Sequence, residues 1–319
     1  MKHLANHSLY KRHYNMNIVL STDNKFVQHC LVTMTSIMEN NKDVNFYVIT
    51  NGLSDFNTEI LVKQANKYNC QLKYLYVKNE IIDKLPMPQN KNLRHISPAT
   101  YYRLFIDELL PKSIDKLIYL DCDMIIRGSL KKLWETPLDD YVMAAVFQNQ
   151  NWAIKNDAFK RLSIPSQFGY FNAGTLLINL QNWRKECIQE KLLKFLHDNY
   201  EKIICHDQDV LNAILYNKTI CISPVWNMLT EFYVSKEKDI NCGCTSFTAS
   251  EIEEYQKKAI IIHFVSRPKP WEYACNHPLR YEYYKYLQLT PFCKWKPTFN
   301  LRNIWSYKIK PYLLKIKNI

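Results

Sequence analysis

Short runs of β-branched and aromatic residues alternate with stretches of helical periodicity along most of this 319-residue chain. That alternation restricts the fold to an α/β class with a mostly parallel central sheet and helices on both faces. Strands are expected at NIVLST (17–22), NFYVIT (45–50), QLKYLYV (71–77), LIYLDCDMII (117–126), YVMAAVF (141–147), GTLLINL (174–180) and AIIIHF (259–264). Helices are expected at 29–40, at 54–68 behind Ser54 as N-cap, after Ser97-Pro98, and as one long helix from about 182 to 200. In the helix after Pro98 the apolar face is Tyr101, Leu104, Phe105 and Leu109. No Pro/Gly/Ser-rich linker interrupts the first ~280 residues. The division expected is a basic extension over 1–15, one domain over 16–285 and a basic, aromatic tail over 286–319.

Composition removes several function classes. The chain has five glycines and no G-x-G, so neither a dinucleotide fingerprint nor a P-loop can form, since each needs glycines where backbone N–H groups meet phosphate. The longest apolar runs fall far short of the ~20 residues that span a bilayer. The first 15 residues are basic and lack an apolar segment, so no secretory signal is expected; a flexible arm and an upstream start ahead of Met16 both stay open. Ten cysteines occur without a C-x-x-C pair, and Cys242-Gly-Cys244 has no partner pair at zinc spacing. Buried, reduced thiols such as Cys30, Cys205 and Cys221 and a cytoplasmic location are expected.

Two carboxylates interrupt LIYLDCDMII, where an unpaired buried charge would be costly. Asp121 and Asp123 close an apolar strand, and residues i and i+2 of a strand share a face. Both can then reach one hard cation, Mn²⁺ or Mg²⁺, at the sheet edge. The alternative is that one aspartate caps a turn and the other is solvated. With 15 aspartates in the chain a bare D-x-D is weak, and a second stands at Asp207 and Asp209.

The ordered blocks NIVLSTD, NLRHISPATYYRL, LIYLDCDMII, YFNAGTLLINLQNWR, HDQDVLN and HFVSRPKPW, spread over residues 17–271, resemble glycosyltransferase family 8. These are retaining enzymes that include lipopolysaccharide α-galactosyl- and α-glucosyltransferases and the glycogenins. The resemblance implies a GT-A fold, a Rossmann-like nucleotide half merged with an acceptor half, that uses a UDP-sugar and Mn²⁺. By the same resemblance His263 joins Asp121 and Asp123 as a metal ligand, Cys122 lies between them, and Lys269 contacts the diphosphate. Ser21, Thr22 and Asp23 are placed at the uracil and ribose end, although Asp23 read alone is a helix N-cap. Arg103 is placed against the donor sugar and phosphate, Asn172 against a sugar hydroxyl, with Ala173 and Gly174 leaving room for close backbone approach, and Asp207 and Gln208 on the other side of the sugar. Asp209 is read as a structural carboxylate. Ser266 and Arg267 stand where the family often has glycine, which implies a stiffer phosphate loop.

Two other classes fit less well. A haloacid-dehalogenase-like phosphohydrolase also ends a strand on D-x-D, but normally with Thr or Val two places on and near the start of the domain; here that place is Ile125. A nucleic-acid-binding protein would suit the net charge of +12, yet no recognition motif occurs and the charge is concentrated at the end. Residues 294–319 hold seven Lys or Arg and no acid. With Trp295, Phe299, Trp305, Tyr307 and Tyr312 they predict a segment lying on an anionic membrane leaflet, where a saccharide or lipooligosaccharide acceptor would be presented.

Overall fold

A computed structural model describes residues 15–82, 85, 98–234, 239–299 and 301–309. Its strands are β1 (Met16–Ser21), β2 (Val44–Thr50), β3 (Gln71–Tyr76), β4 (Lys116–Leu120), β5 (Met124–Ile126), β6 (Met143–Phe147), β7 (Phe171–Asn179), β8 (Thr219–Cys221), β9 (Met228–Leu229), β10 (Asp239–Asn241), β11 (Ser246–Thr248) and β12 (Ile261–His263). Seven of them form the central sheet in the order β3-β2-β1-β4-β7-β6-β8. Pairing is parallel except at β7, which runs antiparallel to both β4 and β6. The strands are apolar on both faces because both faces are covered. Thus Val19, Leu117 and Tyr119 enter one core, and Ile18, Leu20, Ile118 and Leu120 enter the other.

Strand order reverses direction beside β1: β2 and β3 lie on one side and β4 on the other. Such a reversal opens a crevice at the carboxyl ends of the strands. The start of the antiparallel β7 meets the end of β4 (Leu120 opposite Thr175), so the FNAG block joins the same edge.

The helix α1 (Val27–Asn40) packs under this edge, and α2 (Asp55–Lys67) starts where expected: Ser54 accepts from the Asn57 N–H. Three expectations change. LIYLDCDMII is two strands, because residues 121–123 form a turn and β5 leaves for a second sheet of order β5-β12-β9. The stretch from 182 to 200 is two helices, Leu180–Lys185 and Ile188–Asp198, with Cys187 left-handed between them (φ 51°). Trp183 and Ile188, one on each side of the break, are both buried. After Pro98 the chain runs as a 3₁₀ helix to Phe105 and only then as α-helix, Ile106–Leu109. A three-residue period sets Thr100 and Arg103 in one row toward the crevice. Ser97, the expected cap, lies outside the described residues. So do residues 1–14 and 310–319.

The ten cysteines are free, but burial is uneven: Cys30 is buried, Cys205 and Cys221 are half-buried, and Cys187, Cys244 and Cys293 are exposed. The helix Arg280–Leu287 buries Tyr286 and Leu287 in a third core with Ile125 and Phe264, and Trp295 packs on its edge. Among the described residues no helix is long and apolar enough to cross a membrane.

Candidate active site

The turn that holds the two aspartates is fastened from three directions. The Asp121 N–H donates to Gly174 O (2.9 Å), the Phe264 N–H donates to Asp123 O (3.1 Å), and Thr33 Oγ1 of α1 reaches Cys122 O and Met124 O at 3.0 and 2.9 Å. The carboxylates therefore converge through a turn rather than along one strand face. Cys122, between them, turns inward toward Ser21 O (3.2 Å), and its thiol is pushed well above its ordinary range by Cys30 and by burial.

β5 then carries the chain to β12, antiparallel, with Met124 opposite His263. This pairing places His263 Nε2 3.2 Å from Asp123 Oδ1 and 3.8 Å from Asp121 Oδ2. Ligand atoms of the three residues all lie within 4.8 Å of one another. Two carboxylate oxygens and one imidazole nitrogen at that spacing fit a divalent ion such as Mn²⁺ or Mg²⁺. Gly174 makes the arrangement possible. A Cβ on it would stand 2.3 Å from His263 Cε1 and 2.6 Å from Met124 Cε, so the ring lies directly on the glycine Cα.

Lys269 Nζ reaches Asp123 Oδ2 at 2.5 Å and Phe264 O at 2.6 Å. Burial pushes the Asp123 carboxyl upward, but the Lys269 ammonium and the His263 ring outweigh it and hold the group well below the usual carboxylate range. Ser266, where glycine was the family's habit, is left-handed at φ 66°, a conformation glycine adopts more readily.

Arg103 is buried on the opposite side of Asp121. Its Nη2 is 2.5 Å from Asp121 Oδ1, its Nε is 2.8 Å from Asp207 Oδ2, its Nη1 donates to Ala173 O, and the guanidinium lies 4.2 Å from the Tyr119 ring centroid. Burial disfavours its charge, yet Asp121 and Asp207 reverse the balance and raise it. Burial also pushes the Asp207 carboxyl up to about 7, with Arg103 opposing. Gln208 Oε1 accepts from the Ala173 N–H and from Asn172 Nδ2, both at 3.0 Å. Asp209 faces away and is wholly buried against Arg161 (2.8 Å) and the Tyr170 hydroxyl (2.6 Å), as a structural carboxylate.

These groups border one cleft of ≈ 1310 Å³. Ser21, Thr22, Asp23, Arg103, Asp121, Cys122, Asp123, Asn172, Ala173, Asp207, Gln208 and Lys269 all line it, and His263 is buried just behind. Asp23 both borders the cleft and caps a turn, accepting from the N–H groups of Lys25 (2.9 Å) and Phe26 (3.1 Å). Asn227 and Gln148 belong to this constellation and carry no motif in the sequence: Asn227 is a lone amide, and Gln148 opens the run QNQN (148–151). Trp152 and Glu231 also line the cleft, in stretches outside the six motif blocks.

The model of the family "Glycosyl transferase family 8" matches residues 17–275. The chain belongs to glycosyltransferase family 8. It is 30% identical over 291 residues to General stress protein A of Bacillus subtilis (strain 168), covering 89% of this chain and 96% of that one. It is 28% identical over 278 residues to a lipopolysaccharide 1,2-glucosyltransferase of Escherichia coli (strain K12), covering 85% and 76%. Among solved structures, the galactosyltransferase LgtC with donor and acceptor sugar analogues superposes with a TM-score of 0.72 at 23% identity, covering 91% of this chain and 99% of that one. The sheet with its edge cleft is accordingly the GT-A fold, in one domain.

Proposed function

We propose that this glycosyltransferase moves galactose or glucose from a UDP-sugar to a saccharide acceptor of the lipopolysaccharide or lipooligosaccharide type, with the donor's α configuration retained. The observation that carries the reading is the Asp121–Asp123–His263 cluster on the lip of a cleft at the sheet's reversal point. The similarity to a lipopolysaccharide glucosyltransferase supports the acceptor class.

Asp121, Asp123 and His263 would hold Mn²⁺ or Mg²⁺, whose chemistry is to offset charge on a departing diphosphate. Lys269 supplies a second cation beside Asp123 for a phosphate oxygen. Ser21, Thr22 and Asp23, which line the cleft, would take the nucleoside end. Arg103, clamped between Asp121 and Asp207 in the cleft wall, would set a fixed positive charge beside the sugar and its phosphate. Asn172 and Asp207 offer an amide and a carboxylate to sugar hydroxyls.

Gln208 is an unsuitable nucleophile: it is an amide, and its Oε1 already accepts two hydrogen bonds. Transfer on the front face fits better. The C1–O bond to the diphosphate breaks as the acceptor oxygen bonds C1 on the same side, and the acceptor's proton passes to a diphosphate oxygen. Proton NMR of product formed from UDP-galactose or UDP-glucose tests this. An α-anomeric signal is expected for one of the donors; a β product would refute retention, and failure with both donors would refute the donor class.

The tail fits attachment to the cytoplasmic face of a membrane, where a lipid-linked acceptor would lie. Phe299, Leu301, Trp305 and Ile309 are exposed, and the sequence over 294–319 carries seven cations and no acid.

A further inference from the structure

A chain of amides joins the metal cluster to the sugar side of the cleft. Asn227 Oδ1 lies 2.9 Å from His263 Nδ1, and Asn227 Nδ2 donates to Asn172 Oδ1 at 2.8 Å. That same Asn172 oxygen accepts the Gly174 N–H at 2.9 Å. Asn172 Nδ2 donates to Gln208 Oε1 at 3.0 Å, and the Ala173 N–H donates to the same oxygen at 3.0 Å. Asn227 is fully buried, immediately ahead of β9, which pairs with β12 beside His263.

The backbone dictates the direction of each bond. A main-chain N–H can only donate, so Gly174 determines which terminal atom of Asn172 is oxygen, and Ala173 does the same for Gln208. The Asn172 oxygen must then face the amide nitrogen of Asn227. Asn227 is left with its oxygen against the imidazole, where an oxygen can only accept. The ring proton therefore sits on Nδ1, and the lone pair of Nε2 points at Asp121 and Asp123.

We infer that Asn227 is a positioning residue that holds His263 with Nε2 free for a divalent cation and, through its other end, holds Asn172 and Gln208 on the sugar side. The inference rests on the metal reading of the cluster above. Outer partners that fix a ligand histidine typically change metal affinity 10–100-fold when removed.

Two substitutions separate the two ends. Asn227→Leu removes both contacts, whereas Asn227→Asp keeps the acceptor for Nδ1–H and loses the donor to Asn172. Mn²⁺ affinity is read by electron paramagnetic resonance on protein without sugar nucleotide, with melting temperature and kcat alongside. Asn227→Leu should bind Mn²⁺ about 10–100-fold more weakly. Asn227→Asp should stay within about threefold of wild type in Mn²⁺ binding while kcat falls about tenfold or more, since only the amide end is broken. A folded Asn227→Leu with wild-type Mn²⁺ affinity would overturn the inference, as would an Asn227→Asp that binds as weakly as the leucine variant. Should the leucine variant not fold, long-range ¹H–¹⁵N spectra of the Mg²⁺-loaded wild type decide: a proton on His263 Nδ1 supports the assignment, and a bare Nδ1 refutes it. A wild type that binds no Mn²⁺ refutes the metal reading itself, and this inference with it.

Discussion

Gly174 shows how much of the site depends on a missing atom. The sequence reading gave the glycine of YFNAG to close backbone approach, and the structure names the visitor as the His263 ring. Adding a Cβ at Gly174 leaves no room, with His263 Cε1 at 2.3 Å and Nδ1 at 2.7 Å. The ring is fully packed and cannot swing away without losing Asn227. Gly174→Ala should therefore weaken Mn²⁺ binding at least about tenfold and cost about 1–3 kcal/mol of stability by overpacking. Titration calorimetry and chemical denaturation check the two halves. Unchanged Mn²⁺ affinity would mean that His263 does not ligate.

Among the elements, the tail separates packing from attachment most clearly. Trp295 belongs to the domain, since it packs on the core of Tyr283, Tyr286 and Leu287; Phe299 meets the Tyr273 ring edge-on (centroids 5.2 Å) but stays largely exposed, as do Leu301 and Trp305 beyond it. A chain ending at Pro297 should keep UDP-sugar hydrolysis and its melting temperature. It should leave anionic vesicles in a flotation assay, as the full chain should in high salt, because each cation near such a surface contributes about 1 kcal/mol. Equal flotation of both chains would give the tail a structural role instead. The strands and the Ser54 cap were legible because periodicity and capping are local. The break of LIYLDCDMII was not, since its cause is β12, some 140 residues away, pairing with β5. Asn227 was invisible for the same reason: its two partners are 36 and 55 residues off in sequence.

For the molecule as a whole, buried ionisable groups set how stability responds to pH. His29 stacks on Trp271 (centroids 3.6 Å apart) and meets the Tyr283 hydroxyl at 2.8 Å; burial holds it neutral, down to about 3. Burial takes His277 down to about 4. Between those values and 6.5 the unfolded chain binds protons that the native one refuses, so stability falls as pH falls. Asp207, raised to about 7, acts in the opposite sense over the same window, which leaves two groups against one. Unfolding free energy should be about 1.5 kcal/mol lower at pH 5 than at pH 7, and His29→Leu should abolish that slope; a steeper slope in the variant would contradict the assignment. The fold, the cleft and the cluster meet in the proposed activity, and UDP release would measure it without knowing the acceptor. With Mn²⁺ present, wild-type protein should release UDP from UDP-galactose or UDP-glucose, stop in excess chelator and resume when Mn²⁺ is restored. Asp123→Ala should stay folded and lose at least about a hundredfold of that rate. Full release in excess chelator, or wild-type release by Asp123→Ala, would contradict the account.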